Sequence, residues 1–215
     1  MTLLRLTRPL YLAFAALTYV LGVSLANYLA IPFSPIAFWM GLIGVILTQA
    51  AFSLLAEVFR PNSDPFQPEE TFVQRKSLRD SMLYLSVGAL AVLAVICFAL
   101  YSQGRLSPQA FLFLGLSLLL VLLYGVPPMR LVARGFGETV LAIQLGFVFP
   151  SLGFLLQAGE LHRLLGLVTF PLTALGLACL IVLSFPTFAQ DRKYGRRTLL
   201  VSIGWVRAIP LHNIL

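Results

Sequence analysis

The sequence predicts an all-α integral membrane protein, a single bundle of about six transmembrane helices with its N-terminus on the cytoplasmic side. Three observations carry this. Apolar residues make up 59% of the 215-residue chain and charged residues only 11%, against about 25% charged in a soluble domain, so there is too little polar surface to wrap a water-soluble globule. The apolar residues fall into six runs, each close to the ~20 residues a helix needs to cross the hydrocarbon. The charges, finally, collect in alternate connections between those runs, as six crossings would produce.

The first run, 10–30, follows Arg5 and Arg8 and lacks a small-residue cleavage site, so it reads as a retained span and not a removed leader. IPFSP, with Pro32 and Pro35, is a tight uncharged turn into the second run, 36–58. Pro61 disfavours helix at Arg60 and stops that run there. The long charged segment 59–81 leads to the third run, 82–101, and SQGRLS to the fourth, 108–125. YGVPPMRLVARGFGE, with two adjacent prolines and two further glycines, is an ordered non-helical connection into the fifth run, 140–156. AGELHR leads to the sixth, 165–185, where Pro171 would kink the helix. A charged segment, 186–198, follows. LLVSIGWVRAIPLHNIL then reads as the start of a seventh apolar element.

With the N-terminus inside, the inner segments hold Arg5, Arg8, Arg60, Arg75, Lys76, Arg79, Arg130, Arg134, Arg192, Lys193, Arg196, Arg197 and Arg207, leaving only Arg105 and Arg163 outside. The positive-inside rule then places segments 59–81, 126–139 and 186–198 in the cytoplasm, and the expected location is a bacterial inner membrane. The net charge of +7 is therefore topological. No basic stripe with interleaved aromatics accompanies it, so nucleic acid is not an expected partner, whereas membrane lipid is. No charge sits mid-span and no internal repeat is evident, which argues against a transporter or channel. Cys97 and Cys179 lie in apolar runs, where buried inert thiols are expected.

Seven of the eight acids share the inner face; only Glu160 does not. Acids contribute little to orientation, so their gathering there with the bases marks a candidate site for an anion and a metal. Glu57 and Asp64 are seven residues apart, two turns if the backbone stays near-helical. They either face one cavity or form a polar helix end at the interface. Glu138 falls in the first turn of the fifth helix, where the dipole favours an acid. Asp191 lies just past the sixth span and is followed by Arg192, Lys193, Arg196 and Arg197. Arginine suits bidentate phosphate recognition, while the same cluster would also anchor to anionic headgroups, at about 1 kcal/mol per basic residue. Spacing leaves both open.

Taken together, these segments resemble the UbiA superfamily of intramembrane prenyltransferases, most closely the menaquinone-type branch that prenylates dihydroxynaphthoate. LTRP at 6–9 resembles the N-terminal signature. YGVPPMRLVARGFGE resembles the loop Y-G-x-P-P-x-x-L-K-x-R-G-x-G-E, with Val132 in place of its lysine, and DRKYGRRTLLVSIG resembles D-x-x-x-G-K-R-T-L-x-V-x-x-G. The resemblance implies a UbiA-like bundle lacking the last three of nine helices, with an open seam covered by protein subunits. It implies a site in which Glu57, Asp64 and Asp191 are catalytic, Asp64 and Asp191 hold Mg²⁺, and Arg60, Arg134, Arg192, Lys193, Arg196 and Arg197 bind diphosphate.

The chain departs from the family's acidic motifs, N-x-x-x-D-x-x-x-D and D-x-x-x-D. Ala56 stands at the Asn, Arg60 at the middle Asp of the first motif, and Thr187 at the first Asp of the second. The expectation is therefore a degenerate homologue, a pseudoenzyme serving as a structural or accessory subunit of a larger membrane complex and holding a quinone, isoprenoid or pigment. The alternative is an active enzyme of quinone or chlorophyll biosynthesis, using Mg²⁺ to transfer a prenyl group from a prenyl diphosphate to an aromatic acceptor, with Arg60 partly replacing a metal ion.

Overall fold

Helix starts in this chain are written in hydroxyls and prolines. Ser34 accepts the amide of Ala37 and Ser107 that of Ala110, at 3.4 and 3.1 Å, and each is followed by a proline at the first helical position. There the missing N–H costs nothing and the fixed φ suits a helix. The computed structural model describes residues 6–61, 64, 66 and 71–214. Arg5 of the charge asymmetry, residues 62, 63, 65 and 67–70 of the 59–81 segment, and residue 215 lie outside the described residues.

Six helices are long and apolar enough to cross a membrane: α1 (Pro9–Tyr28), α2 (Pro35–Val58), α3 (Phe72–Ser102), α4 (Pro108–Gly125), α5 (Gly137–Ala158) and α6 (Arg163–Ser184). The chain is an all-helical, multi-pass integral membrane protein. Three short helices follow, α7 (Phe188–Lys193), α8 (Leu199–Ile203) and α9 (Trp205–Ile214), and a single 3₁₀ turn, Leu131–Ala133, interrupts the α4–α5 connection. The expected seventh apolar element is thus two short helices. Leu200 of α8 and Ala208 of α9 are fully buried beside Ile181, folding this segment back against α6.

The third helix differs most from expectation, beginning at Phe72 and not at residue 82. The cause is a capping box. Thr71 Oγ1 accepts the amide of Gln74 at 3.3 Å, and Gln74 Oε1 accepts the amide of Thr71 at 3.1 Å. At 31 residues, α3 is about 46 Å long, well beyond the ~30 Å hydrocarbon. Its first turns, with Arg75, Lys76, Arg79 and Asp80, project past the apolar zone.

The bundle is organised around α5. Within its most apolar window 83% of residues are buried, against 11% for α3 and 28% for α6, so α5 is the axis and α3 and α6 are peripheral. Glycines allow α1 to lie directly on α5. A Cβ at Gly22 would strike the Pro150 backbone, and one at Gly153 the Tyr19 backbone, the small-residue contact by which membrane helices approach closely. Tyr19 then ties α1 to the start of α2, its hydroxyl facing the carbonyls of Ala37 and Phe38 at 3.2 and 3.1 Å. Within α5, Gln144–Val148 is a π-helical turn, placed just before Pro150, whose nitrogen has no hydrogen to donate. The turn holds Gln144 fully buried, donating to Ser117 Oγ of α4 at 2.6 Å.

Phe98, Phe111 and Phe170 stand outward from α3, α4 and α6, the faces that meet lipid. The cysteines depart from expectation for the same reason. Cys179 on peripheral α6 is exposed and Cys97 on α3 only half-buried.

Candidate functional site

At the end of the bundle where α2, α4 and α6 stop and α5 begins, a cavity of about 300 Å³ opens. Four guanidinium groups line it (Arg8, Arg60, Arg130, Arg196) with four carboxylates (Glu57, Asp64, Glu138, Asp191) and the tyrosines Tyr11, Tyr124 and Tyr194.

The short stretch after α6 shows how local folding builds the site. Helix α7 ends at Lys193, and Gly195 takes the left-handed conformation, φ +68°. The amide of Arg196 bonds back to the Asp191 carbonyl at 2.8 Å and that of Gly195 to the Arg192 carbonyl at 3.4 Å, the two bonds of a Schellman motif. This reversal lays the Arg196 side chain over the helix it has just left. Its Nη1 meets Asp191 Oδ1 at 3.2 Å, while Nε and Nη2 reach Asp64 Oδ2 and Oδ1 at 2.6 and 2.9 Å. The spacing D-x-x-x-G-R is thus the geometry of one C-cap. Thr198 then caps α8 by accepting the amide of Val201 at 3.2 Å.

Asp64 receives a second guanidinium from the opposite side. Arg60 Nε lies 2.7 Å from Oδ2 and Nη2 lies 3.0 Å from Oδ1. Both oxygens therefore accept two bonds each, and the carboxylate is only 3% exposed. The Asp64 carbonyl takes Arg75 Nη2 at 3.1 Å, and Arg79 Nη2 donates to the Arg60 carbonyl. Arg60 also meets Glu57 at 3.3 Å, and Glu57 meets Arg8 at 3.0 Å. Asp191 Oδ2 accepts from Thr187 Oγ1 at 2.8 Å. Burial pushes the Asp191 carboxyl above the ordinary aspartate range, against the pull of Thr187, Arg8 and Arg60. Glu138 accepts the Leu199 amide at 3.0 Å and faces Ser184 Oγ at 3.4 Å, joining α5, α6 and α8.

Glu57, Arg60, Asp64, Asp191 and Arg196 therefore line one cavity. Arg134, Arg192, Lys193 and Arg197 do not. All four are exposed. Arg134 donates to the Pro128 carbonyl at 2.9 Å, and Lys193 sits over the Tyr194 ring. The reversal after α7 turns Arg196 inward and leaves Arg192, Lys193 and Arg197 facing out.

Two cavity residues escaped the sequence reading as ligands, Arg8 and Arg130. Both take positive φ, 53° and 38°, rare for residues other than glycine and costly unless the surroundings hold them. The third such residue, Ala30, lies in the turn after α1. Arg130 is distinctive in another way. Its Nε is buried without a partner, and among the described residues its side chain forms neither a hydrogen bond nor an ion pair, although its amide donates to the Val126 carbonyl at 3.1 Å. Burial lowers its pKa, with Arg79 and Arg60 adding and Glu57 and Asp64 opposing.

The ion that such a mixed acidic and basic cavity would first suggest is Mg²⁺. This ion requires a near-octahedral set of oxygens. Among the described residues, no group of three or more His, Cys, Asp or Glu side chains could hold a metal ion. Asp64 has all four of its acceptor directions occupied by guanidinium N–H, and each Asp191 oxygen has a partner. The residues as arranged do not fit a protein-held Mg²⁺.

No family model matches the sequence, and no curated protein matches it. Among solved structures the fold is similar to that of a UbiA homolog from Archaeoglobus fulgidus bound to DMAPP and Mg²⁺, with a TM-score of 0.71 at 17% identity, over 100% of this chain and 75% of that chain. The bundle is UbiA-like.

Proposed function

We propose that this chain is a UbiA-superfamily homologue that keeps the isoprenoid chamber and has lost prenyl transfer. It serves as a ligand-holding accessory or structural subunit of a larger membrane complex, with the cavity on the cytoplasmic side of a bacterial inner membrane. The bound molecule is an isoprenoid diphosphate or a quinone- or pigment-like isoprenoid. The observation that carries this reading is the state of Asp64. In a prenyltransferase its oxygens would be offered to a metal, and here two arginines saturate them. Transfer requires the allylic C–O bond to ionise, which depends on strong neutralisation of the departing diphosphate. The sequence departures at Arg60 and Thr187 support the same conclusion. Lipid covers part of the outward apolar surface of α3, α4 and α6, and partner subunits cover the rest.

The second reading, Mg²⁺-dependent prenyl transfer to an aromatic acceptor, draws on the similarity to a homolog bound to DMAPP and Mg²⁺. One experiment separates the two. Purified protein is incubated with a prenyl diphosphate, a dihydroxynaphthoate acceptor and Mg²⁺. No prenylated product is expected. Product formation that Asp191→Ala abolishes would establish the enzyme and end the accessory reading.

A further inference from the structure

Three features of the cavity belong together among the described residues: a carboxylate with no free lone pair, an arginine whose side chain has no partner, and the lack of any acidic cluster able to hold a metal. We propose that the cavity binds the head group of an isoprenoid diphosphate through guanidinium groups alone, without a metal ion, and that Arg130 makes the leading contact. This rests on the reading that the chamber takes such a ligand.

The physical argument starts from the balance of charge. Arg8, Arg60 and Arg196 are each paired to a carboxylate of the cavity wall. Among the described residues the Arg130 side chain is left over, half-buried, with Nε cut off from water. A buried donor without a partner is costly, more so when charged, and a phosphoryl oxygen relieves that cost. Arginine is the side chain whose planar fork matches phosphate. The strained backbone at Arg130, φ 38°, is the second sign that the residue is held for a contact it makes with something beyond the described chain.

Asp64 then has a role other than metal ligation. Bidentate contacts on both sides fix the planes of Arg60 and Arg196. All four of Asp64's acceptor directions go to these two groups, while Arg60 Nη1 and Arg196 Nη1 face the cavity-lining Glu57 and Asp191. Asp64 is a positioning residue for two cations. A divalent ion would have to displace two guanidinium groups from it, each held by two hydrogen bonds. The head group meets instead a wall whose positive charge is already fixed in place.

The test is calorimetric titration of the whole chain in nanodiscs of neutral lipid, so that no anionic lipid competes, with geranyl diphosphate as probe, in EDTA and in excess Mg²⁺. The two affinities are expected to agree within about threefold. Arg130→Gln is expected to weaken binding in EDTA by about tenfold, equivalent to about 1.4 kcal/mol, and Arg130→Lys to recover part of that loss. Arg163→Gln, at the opposite end of α6, is expected to leave binding unchanged, and melting temperatures show that each variant is folded. Addition of Mn²⁺ to the loaded protein should give no bound-metal spectrum by electron paramagnetic resonance. Tightening by about tenfold or more with Mg²⁺, a bound Mn²⁺ spectrum, or an Arg130→Gln protein that binds as well as the parent would overturn the proposal while leaving a diphosphate-binding chamber. No binding under either condition would remove both.

Discussion

At the end of the bundle where α2 stops, Asp64 sits between Arg60 and Arg196, and Glu57 and Asp191 extend the network to Arg8 and Thr187. At the other end, the amide of Ser34 donates to Gln157 Oε1 at 2.8 Å, Gln157 Nε2 returns to the Ser34 carbonyl at 3.3 Å, and Arg105 donates to the Ser34 hydroxyl at 2.5 Å. Both clusters tie segments far apart in sequence. They differ in what a deletion leaves behind. Removing Gln157 frees groups that water at the membrane surface can satisfy, whereas removing the central carboxylate takes from Arg60 and Arg196 the bidentate partner they share and leaves them only Glu57 and Asp191. A deletion at the Asp64 end is therefore expected to cost more than one at the Ser34 end.

The largest effect that would sharpen this comparison is Asp64→Ala. It should destabilise the protein by about 3 kcal/mol, the low end of the range for breaking a buried ion pair from one side, because Arg196 is partly exposed and both arginines keep a second carboxylate, read by thermal unfolding in detergent. A loss as small as that of the far-end variants would break the comparison. Midway between the ends, Gly153→Leu forces α1 off α5, because the Tyr19 backbone occupies the space a side chain needs. Overpacking of this kind costs about 1–3 kcal/mol, and the same unfolding measurement checks it. At the Ser34 end, Gln157→Ala should cost about 1 kcal/mol, the net worth of ordinary hydrogen bonds, and should leave geranyl diphosphate binding at the parent value in the titration described above.

The smallest effect is a pH dependence. The folded-state pKa of Asp191 is raised, so the native state holds this proton more tightly than the unfolded chain does. The stability linked to that proton is complete below the unfolded value and is lost as pH rises through the folded one. Asp191→Asn, which keeps an acceptor for Thr187 and carries no charge, should therefore gain on the parent protein as pH rises across that window. A difference in melting temperature that stays flat with pH would show that the Arg196 contact outweighs burial.

The spans were legible because a membrane imposes length and apolarity on every crossing helix, and proline and serine mark where several of them begin. The start of α3 was not, because a polar first turn carrying Arg75 and Lys76 looks like loop until the reciprocal Thr71–Gln74 bonds are seen. In the site, the family-like motifs pointed to Glu57, Arg60, Asp64, Asp191 and Arg196, which line the cavity. They could not say which of the four bases after Asp191 turns inward, since that is decided by the reversal at Gly195. Nor did they single out Arg8 or Arg130, which lie within LTRP and YGVPPMRLVARGFGE but were given no role there. The saturation of Asp64 was equally hidden, because Arg60 and Arg196 approach it from positions four and 132 residues away.

That separation also sets an order of events during biosynthesis. Arg60 and Asp64 emerge together and can pair at once, but Arg196 leaves the ribosome roughly 7–26 s later at ~5–20 residues per second. Through that interval α3 to α6 must insert while Asp64 has only one of its two clamps. The cavity is thus completed only after all six long helices have been made, and a nascent protein halted before Gly195 would carry its acids and no second clamp to close over Asp64.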